Sequence, residues 1–158
     1  MKAGHKMYIR QANAKDVSRI AEILVFNNRI NFYPIFGNEA YSFGELQVIT
    51  VANEYLNDEN AMKSTFVYDD GIVRGLIRIE NKEVKKLFVD PFFQRRKIGD
   101  QLLSFAIEQY NVTHLWALEK NIRAIKFYER HGFYFTGEKV PEDGTTEYLL
   151  KMERQPSF

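Results

Sequence analysis

A chain of 158 residues with 45% apolar residues, 13 Phe and 9 Tyr has ample material for a core. On length it reads as one domain over 1–158, its core about residues 7–152, burying about 70% of the surface its unfolded form exposes. A formal net charge of +1 argues against a generic nucleic-acid or membrane-surface binder, and the absence of cysteine excludes disulfides, thiolate zinc sites and a cysteine nucleophile.

Met1–Lys6 has no hydrophobic region behind it, so no signal peptide is visible, and no apolar run approaches the ~18 residues that span a bilayer. A soluble cytoplasmic protein is the expectation. Met7–Arg10 reads as a first strand. Asn13 and Asp16 offer caps for a helix whose apolar stripe is Val17, Ile20, Ala21, Ile23 and Leu24, weakening near Asn27-Asn28. Phe32–Gly37 is aromatic, holds Pro and Gly and lacks a clean period. It reads as a loop or an irregular helix end that either covers the core or lines a pocket. Glu45–Leu56 predicts a second helix with the stripe Leu46, Val48, Ile49, Ala52 and Leu56. Ser64–Tyr68 and Ile72–Ile79 read as a hairpin about the turn Asp69-Asp70-Gly71.

The most informative stretch follows, Glu83–Tyr110. A strand ends at Val89, because Pro91 cannot donate to a ladder. A cationic loop, Gln94-Arg95-Arg96-Lys97-Ile98-Gly99, then enters a helix with the stripe Ile98, Leu102, Phe105 and Ala106. A helix N-terminus leaves about four N–H groups without partners and carries roughly half a positive charge. Three consecutive cations and a glycine beside those donors describe an anion site, most naturally for a diphosphate. A solvated basic turn is the plainer alternative. The loop is not a Walker loop, and no GxGxxG occurs.

Thr113–Leu118 is a short apolar run, as expected of a strand covered on both faces. Asn121 can cap the next helix, His131-Gly132 ends it, and Phe133–Gly137 with Thr146–Met152 read as a closing antiparallel pair. Asn121, Ala124 and Tyr128 fall at i, i+3 and i+7, hence on one helix face. The tail Glu153–Phe158 reads as loose. The order strand–helix–helix–three strands–helix–strand–helix–two strands predicts an α/β fold with a mixed sheet. His5, His114 and His131 are scattered without metal-ligand spacing, so no metal is expected. His131 reads as complementing the negative end of its helix.

Two stretches together resemble the GNAT superfamily of acyl-CoA-dependent N-acetyltransferases. The family's (Q/R)xxGx(G/A) loop is met by Gln94 to Gly99, except that Lys97 stands where the first glycine belongs. Its NxxAxxFYxxxGF motif is matched by Asn121, Ala124, Phe127, Tyr128, Gly132 and Phe133. The two motifs cover roughly a third of the chain.

The resemblance implies a mostly antiparallel central sheet flanked by helices, with the fourth and fifth strands splayed. It implies acetyl-CoA as acyl donor and a primary amine of a small molecule or peptide as acceptor. The pantetheine arm would pair with the backbone of Leu87, Phe88 and Val89, like a strand added to an edge. The diphosphate would sit on the N–H groups of Arg95, Arg96, Lys97, Ile98, Gly99 and Asp100, beside Gln94. An N–H near Val89 would stabilise the developing oxyanion.

Asn121 would bond a pantetheine amide, and the small Ala124 would let the ligand approach. Tyr128 would serve the departing thiolate, either with a lowered pKa or as a hydrogen-bond donor, since tyrosine at about 10 lies above a thiol at 8.5. Otherwise it is one more core aromatic. The base is open among Glu83, Glu80 and a water relay, and both acids read equally as solvated edge charges. Lys126 and Arg130 either meet the 3′-phosphate or are solvated. Asn31–Phe43, with Phe32, Tyr33, Phe36 and Tyr41, and the loop Val140–Thr146 would shape the acceptor pocket, its aromatic character favouring a small amine or peptide end over a polycation. Many such domains dimerise, so a homodimer is allowed. Two competitors stand beside this reading. One is a degenerate domain that binds acyl-CoA as a sensor or partner module. The other is a nucleotide-binding regulatory domain using the basic loop.

Overall fold

The computed structural model of the chain describes residues 8–155, in which seven strands form one sheet. The strands are β1 (Ile9–Gln11), β2 (Thr65–Asp69), β3 (Val73–Glu80), β4 (Glu83–Val89), β5 (His114–Leu118), β6 (Tyr134–Pro141) and β7 (Tyr148–Glu153). Their order is β1-β2-β3-β4-β5-β7-β6, and every neighbouring pair is antiparallel except β4 with β5. The helices are α1 (Val17–Asn27), α2 (Val48–Leu56), α3 (Glu59–Ser64), α4 (Ile98–Tyr110) and α5 (Ile122–Arg130). None is long and apolar enough to cross a membrane. Met7, His5 and the tail beyond Gln155 lie outside the described residues.

The sheet is covered on both faces. One cluster joins Ile77 and Ile79 of β3 to Ile98, Leu102, Leu103 and Ala106 of α4. The other joins Val73 and Leu76 to Ile20, Ala21 and Ile23 of α1, Val51 and Tyr55 of α2 and Ala61 of α3. Central β3 therefore alternates between two apolar faces.

The structure refines three expectations. Of the two alternatives for Phe32–Gly37, the irregular helix end holds: π-helical turns at Asn28–Phe32 and Ala40–Glu45 flank a helical turn at Tyr33–Phe36. Arg29 stitches these turns together, its Nε donating to Ser42 O at 3.0 Å and its Nη2 to Leu46 O at 3.2 Å. The i→i+5 repeat of π turns is invisible to a search at 3.6 residues. Next, α2 starts at Val48 and buries Val51 and Tyr55, while Ile49 and Leu56 are 72% and 53% exposed. The apolar arc of this helix is wide, with Thr50, Asn53 and Glu54 opposite it, and packing on α1 buries only the Val51–Tyr55 side of that arc. Finally, Asp58 caps a further helix, α3, by accepting from Ala61 N at 3.0 Å.

Candidate active site

The parallel pairing of β4 with β5 is short. It joins Glu83 to His114 and Val84 to Leu115, and then the strands part. Beyond that vertex, Trp116, Ala117 and Leu118 keep β7 on their other edge, and β4 keeps β3. A cleft of about 830 Å³ opens between them, lined also by the loop into α4 and by one face of α5.

Which backbone groups of β4 face this cleft follows from register. Asp90 N–H donates to Arg74 O at 2.9 Å, while Val89 stands opposite Gly75 and Leu87 opposite Ile77. In an antiparallel ladder opposed residues alternate between bonded and non-bonded pairs. Leu87 and Val89 are therefore the non-bonded partners, and their N–H and C=O point away from β3 toward the cleft. Phe88, opposite Leu76, spends its backbone on β3. The resemblance had placed all three on the ligand's edge, and register removes Phe88. Its side chain still lines the cleft, from the face opposite α4 and edge-on to Phe32 at 5.9 Å. A bulge at Lys85 puts Val84, Leu87 and Val89 against α4, with Lys86 and Phe88 on the other face.

The Val89 carbonyl is not left bare. Asn27, 2% exposed at the end of α1, donates from Nδ2 to Val89 O at 3.0 Å and to Ile23 O at 2.8 Å. Gln94 Nε2 also reaches Val89 O, at 3.4 Å. Asp90, buried, accepts from Phe92 N–H at 2.9 Å and pairs with Arg19 at 2.9 Å, which braces the turn into the cationic loop.

In that loop Arg95 and Lys97 take left-handed backbones, with φ of 67° and 63°. Lys97 is the N-cap of α4 and turns where the family pattern has glycine, at a cost of roughly 1–2 kcal/mol for a side-chain-bearing residue. Left-handed turns just before a helix aim successive N–H groups into one concavity. Gln94, Arg95, Lys97, Ile98, Gly99 and Asp100 line the cleft, whereas Arg96 does not and stacks on Phe93 at 5.2 Å. A Cβ on Gly99 would stand 3.5 Å from Phe127 and 3.7 Å from Val89, ordinary contact, so packing within the chain does not demand glycine there.

From α5, Asn121, Ala124, Phe127 and Tyr128 line the cleft together. Asn121 Oδ1 accepts the Ala124 N–H at 3.3 Å as the helix cap, so what it can offer a ligand is its amide donor. The Tyr128 phenol is pushed up to about 12 by burial alone. Burial favours the proton-holding form of this phenol over the ionised one. Arg123 and Arg130 add cations to the rim, and Lys126 is not part of it. His131 is more than a helix-end charge: its Nε2 lies 2.8 Å from Asp100 Oδ1 and ties α5 to the first turn of α4.

The candidate acids divide. Glu83 sits at the closed vertex, 3.3 Å from Lys85 and 3.6 Å from His114, and does not line the cleft. Glu80 is bonded to Arg78 Nε at 2.5 Å and lies outside it too. Two carboxylates do line it, Asp100 and Glu142. Asn27, Lys86, Trp116, Arg123 and Glu142 were not picked out from sequence. For Glu142 a signal existed, since the Val140–Thr146 loop was. Phe32, Phe36 and Asn31 line the cleft as that reading asked, whereas Tyr33 packs edge-on to Phe43 at 5.1 Å and Tyr41 is 43% exposed outside it. Among the described residues no group of three or more His, Cys, Asp or Glu side chains gathers to hold a metal.

Comparison with known proteins gives this cleft its context. The profile of the acetyltransferase (GNAT) domain matches residues 37–154, most of the chain. The chain belongs to the GNAT acetyltransferase family. An uncharacterized N-acetyltransferase of Lactobacillus delbrueckii subsp. lactis is 27% identical over 90% of this chain and 95% of its own. Among solved structures, apo YjaB of Escherichia coli superposes with a TM-score of 0.76 at 18% identity, over 94% of this chain and 97% of that one. The PaiA N-acetyltransferase of Thermoplasma acidophilum, solved with coenzyme A, gives 0.64 at 18% identity over 92% and 97%. The splayed parallel pair β4–β5 is the GNAT arrangement, and a GNAT acyltransferase is what this sheet and cleft describe.

Proposed function

We propose that the protein transfers an acetyl group from acetyl-CoA directly to a primary amine. The observation that carries this is the pairing, across one cleft, of the free edge at Leu87 and Val89 with the Asn121–Ala124–Tyr128 face of α5. The residues suit that donor. Arg95, Lys97 and Arg130 gather cations at the N-terminus of α4, where a diphosphate would rest, and Arg123 adds one at the far end of α5. Gly99 and Ala124 keep the floor low. Leu87 and Val89 offer N–H and C=O groups to a pantetheine amide as a strand edge does.

Acetyl-CoA, when bound, supplies an activated thioester. Val89 N–H stabilises the negative charge that grows on the thioester oxygen as the amine nitrogen forms its bond to carbon. Tyr128, held neutral, donates to the sulfur as the carbon–sulfur bond breaks. A phenol at about 12 does not give its proton outright to a thiolate of about 8.5, so Tyr128 acts by hydrogen bonding. Glu142 is the better placed acid to accept the amine's proton. Asp100 is held by His131, and Glu83 stands about 20 Å of strand from Val89.

Calorimetric titration with acetyl-CoA tests the reading, beside Asn121→Ser, which keeps a capping oxygen but cannot reach the ligand. Micromolar binding weakened about tenfold by the substitution is expected, the size of one amide hydrogen bond. Free-thiol release with an amine panel follows. No binding at millimolar acetyl-CoA would overturn the proposal.

A further inference from the structure

The cations of the cleft are not all accounted for by an acyl donor. Arg95, Lys97, Arg123 and Arg130 lie on the α4–α5 rim, and Lys85 is paired with Glu83. Lys86 is left over. It lines the cleft from the opposite face of β4, the face of Phe88 and of α1 and α2. It is half-buried, and among the described residues it forms no salt bridge, Glu54 acting on it only at longer range. Directly across the ladder stands Arg78, whose guanidinium is already bonded to Glu80. Like charges directly opposed in a sheet are destabilising. Burial and then Arg78 lower the Lys86 pKa, against a smaller opposing pull from Glu54.

We propose that Lys86, with Arg78 behind it, binds a carboxylate of the acceptor, so that the amine acetylated here belongs to a small molecule carrying both groups, an amino acid in the simplest case. The proposal rests on the acetyltransferase reading and deepens it. Lys86 is three residues from Val89, about 10 Å along an extended strand, a span that a lysine side chain and an amino acid together cover. The acceptor side of the cleft then has two poles. Glu142 meets the ammonium before it loses its proton, and Lys86 holds the carboxylate, while Phe32 and Phe36 wall the space between. A polyamine, with no anion to place against Lys86 and Arg78, is disfavoured by the same charges.

The test is turnover, by free-thiol release, of the common amino acids and their carboxamides, in the wild type and in Lys86→Met and Lys86→Arg. Acetyl-CoA binding by calorimetry reports that each protein is folded. The expected result is a preference for the acid over its carboxamide of about 10- to 100-fold in kcat/KM, the size of a hydrogen bond to a charged group. Lys86→Met abolishes that preference through KM, and Lys86→Arg restores part of it. Equal or better turnover of carboxamides overturns the proposal, as does a preference that survives Lys86→Met. An equal fall in kcat for both classes with Lys86→Met assigns the lysine to proton transfer and also overturns it. Acetyl-CoA binding without turnover of any amino acid sinks this proposal alone. Failure to bind acetyl-CoA sinks the acetyltransferase reading with it.

Discussion

Asn27 Nδ2 lies 3.0 Å from Val89 O, so the last residue of α1 holds the last peptide of β4. That peptide borders the cleft, and its neighbour N–H is the one assigned to the oxyanion. Asn27 also accepts from Asn31 Nδ2 at 3.1 Å, which carries the link into the π-helical turn. Replacing it by Leu keeps the volume and removes the donor. Unfolding stability should fall by about 1–3 kcal/mol, as for a buried carbonyl that loses its main partner. The fall in kcat should exceed the change in acetyl-CoA affinity. Urea denaturation and steady-state kinetics check both.

Tyr128 is the phenol whose ionisation is delayed to about 12. A raised pKa means that the folded protein keeps a proton which the unfolded chain gives up near pH 10. Its contribution is complete below pH 10 and is lost as pH rises toward 12. Tyr55 and Tyr68, also raised by burial, share that slope. Tyr128→Phe should flatten part of it in thermal melts. The same substitution should lower kcat about 100-fold, as loss of one preorganised donor does. An alkaline fall in wild-type activity that tracks a group near 8 would argue against a neutral Tyr128.

Lys97 adopts φ of 63° as the N-cap of α4. Lys97→Gly should therefore raise stability by up to about 1–2 kcal/mol, the left-handed cost removed, less the entropy glycine adds to the unfolded chain. Acetyl-CoA binding should persist, weakened by the loss of one cation and with a shallower salt dependence. Unchanged stability would mean that lysine is not strained in this turn.

Gly99 separates access from packing. An added Cβ meets Phe127 and Val89 at ordinary distances, so Gly99→Ala should leave the apo protein as stable or firmer by up to ~1 kcal/mol. Acetyl-CoA affinity should nevertheless drop, because the methyl enters the space that the helix N-terminus offers a phosphate. Calorimetry and melting of one preparation measure the two effects together.

Gly75 behaves in the opposite way. A Cβ there would stand 3.0 Å from Phe88 O, 3.1 Å from Leu102 Cδ1 and 3.3 Å from Ile98 Cγ2. Glycine is what lets α4 lie close on β3 opposite Val89. Gly75→Ala should cost about 1–3 kcal/mol by overpacking, seen as a lower urea midpoint at constant slope.

Much of this could be read along the chain. The order of strands and helices, the cap at Asn121, the cationic turn before α4 and the shared face of Asn121, Ala124 and Tyr128 depend on residues a few positions apart, where local geometry carries the signal. Other features depend on partners far away in sequence. Whether Leu87, Phe88 or Val89 offers its backbone to the cleft is settled by pairing with β3, because alternation along a strand has two phases and only register chooses one. Which side of the wide apolar arc of α2 is buried, Val51 and Tyr55 or Ile49 and Leu56, was decided only when α1 lay against it. Lys86 reads as one more surface lysine until Arg78 stands opposite and the cleft opens beside it, and Asn27 as a weak point in a helix until Val89 O comes within reach. Chemistry encoded in neighbours is legible in one dimension. Counter-charges, bonded edges and buried donors are set by chain closure, and only the folded structure decides them.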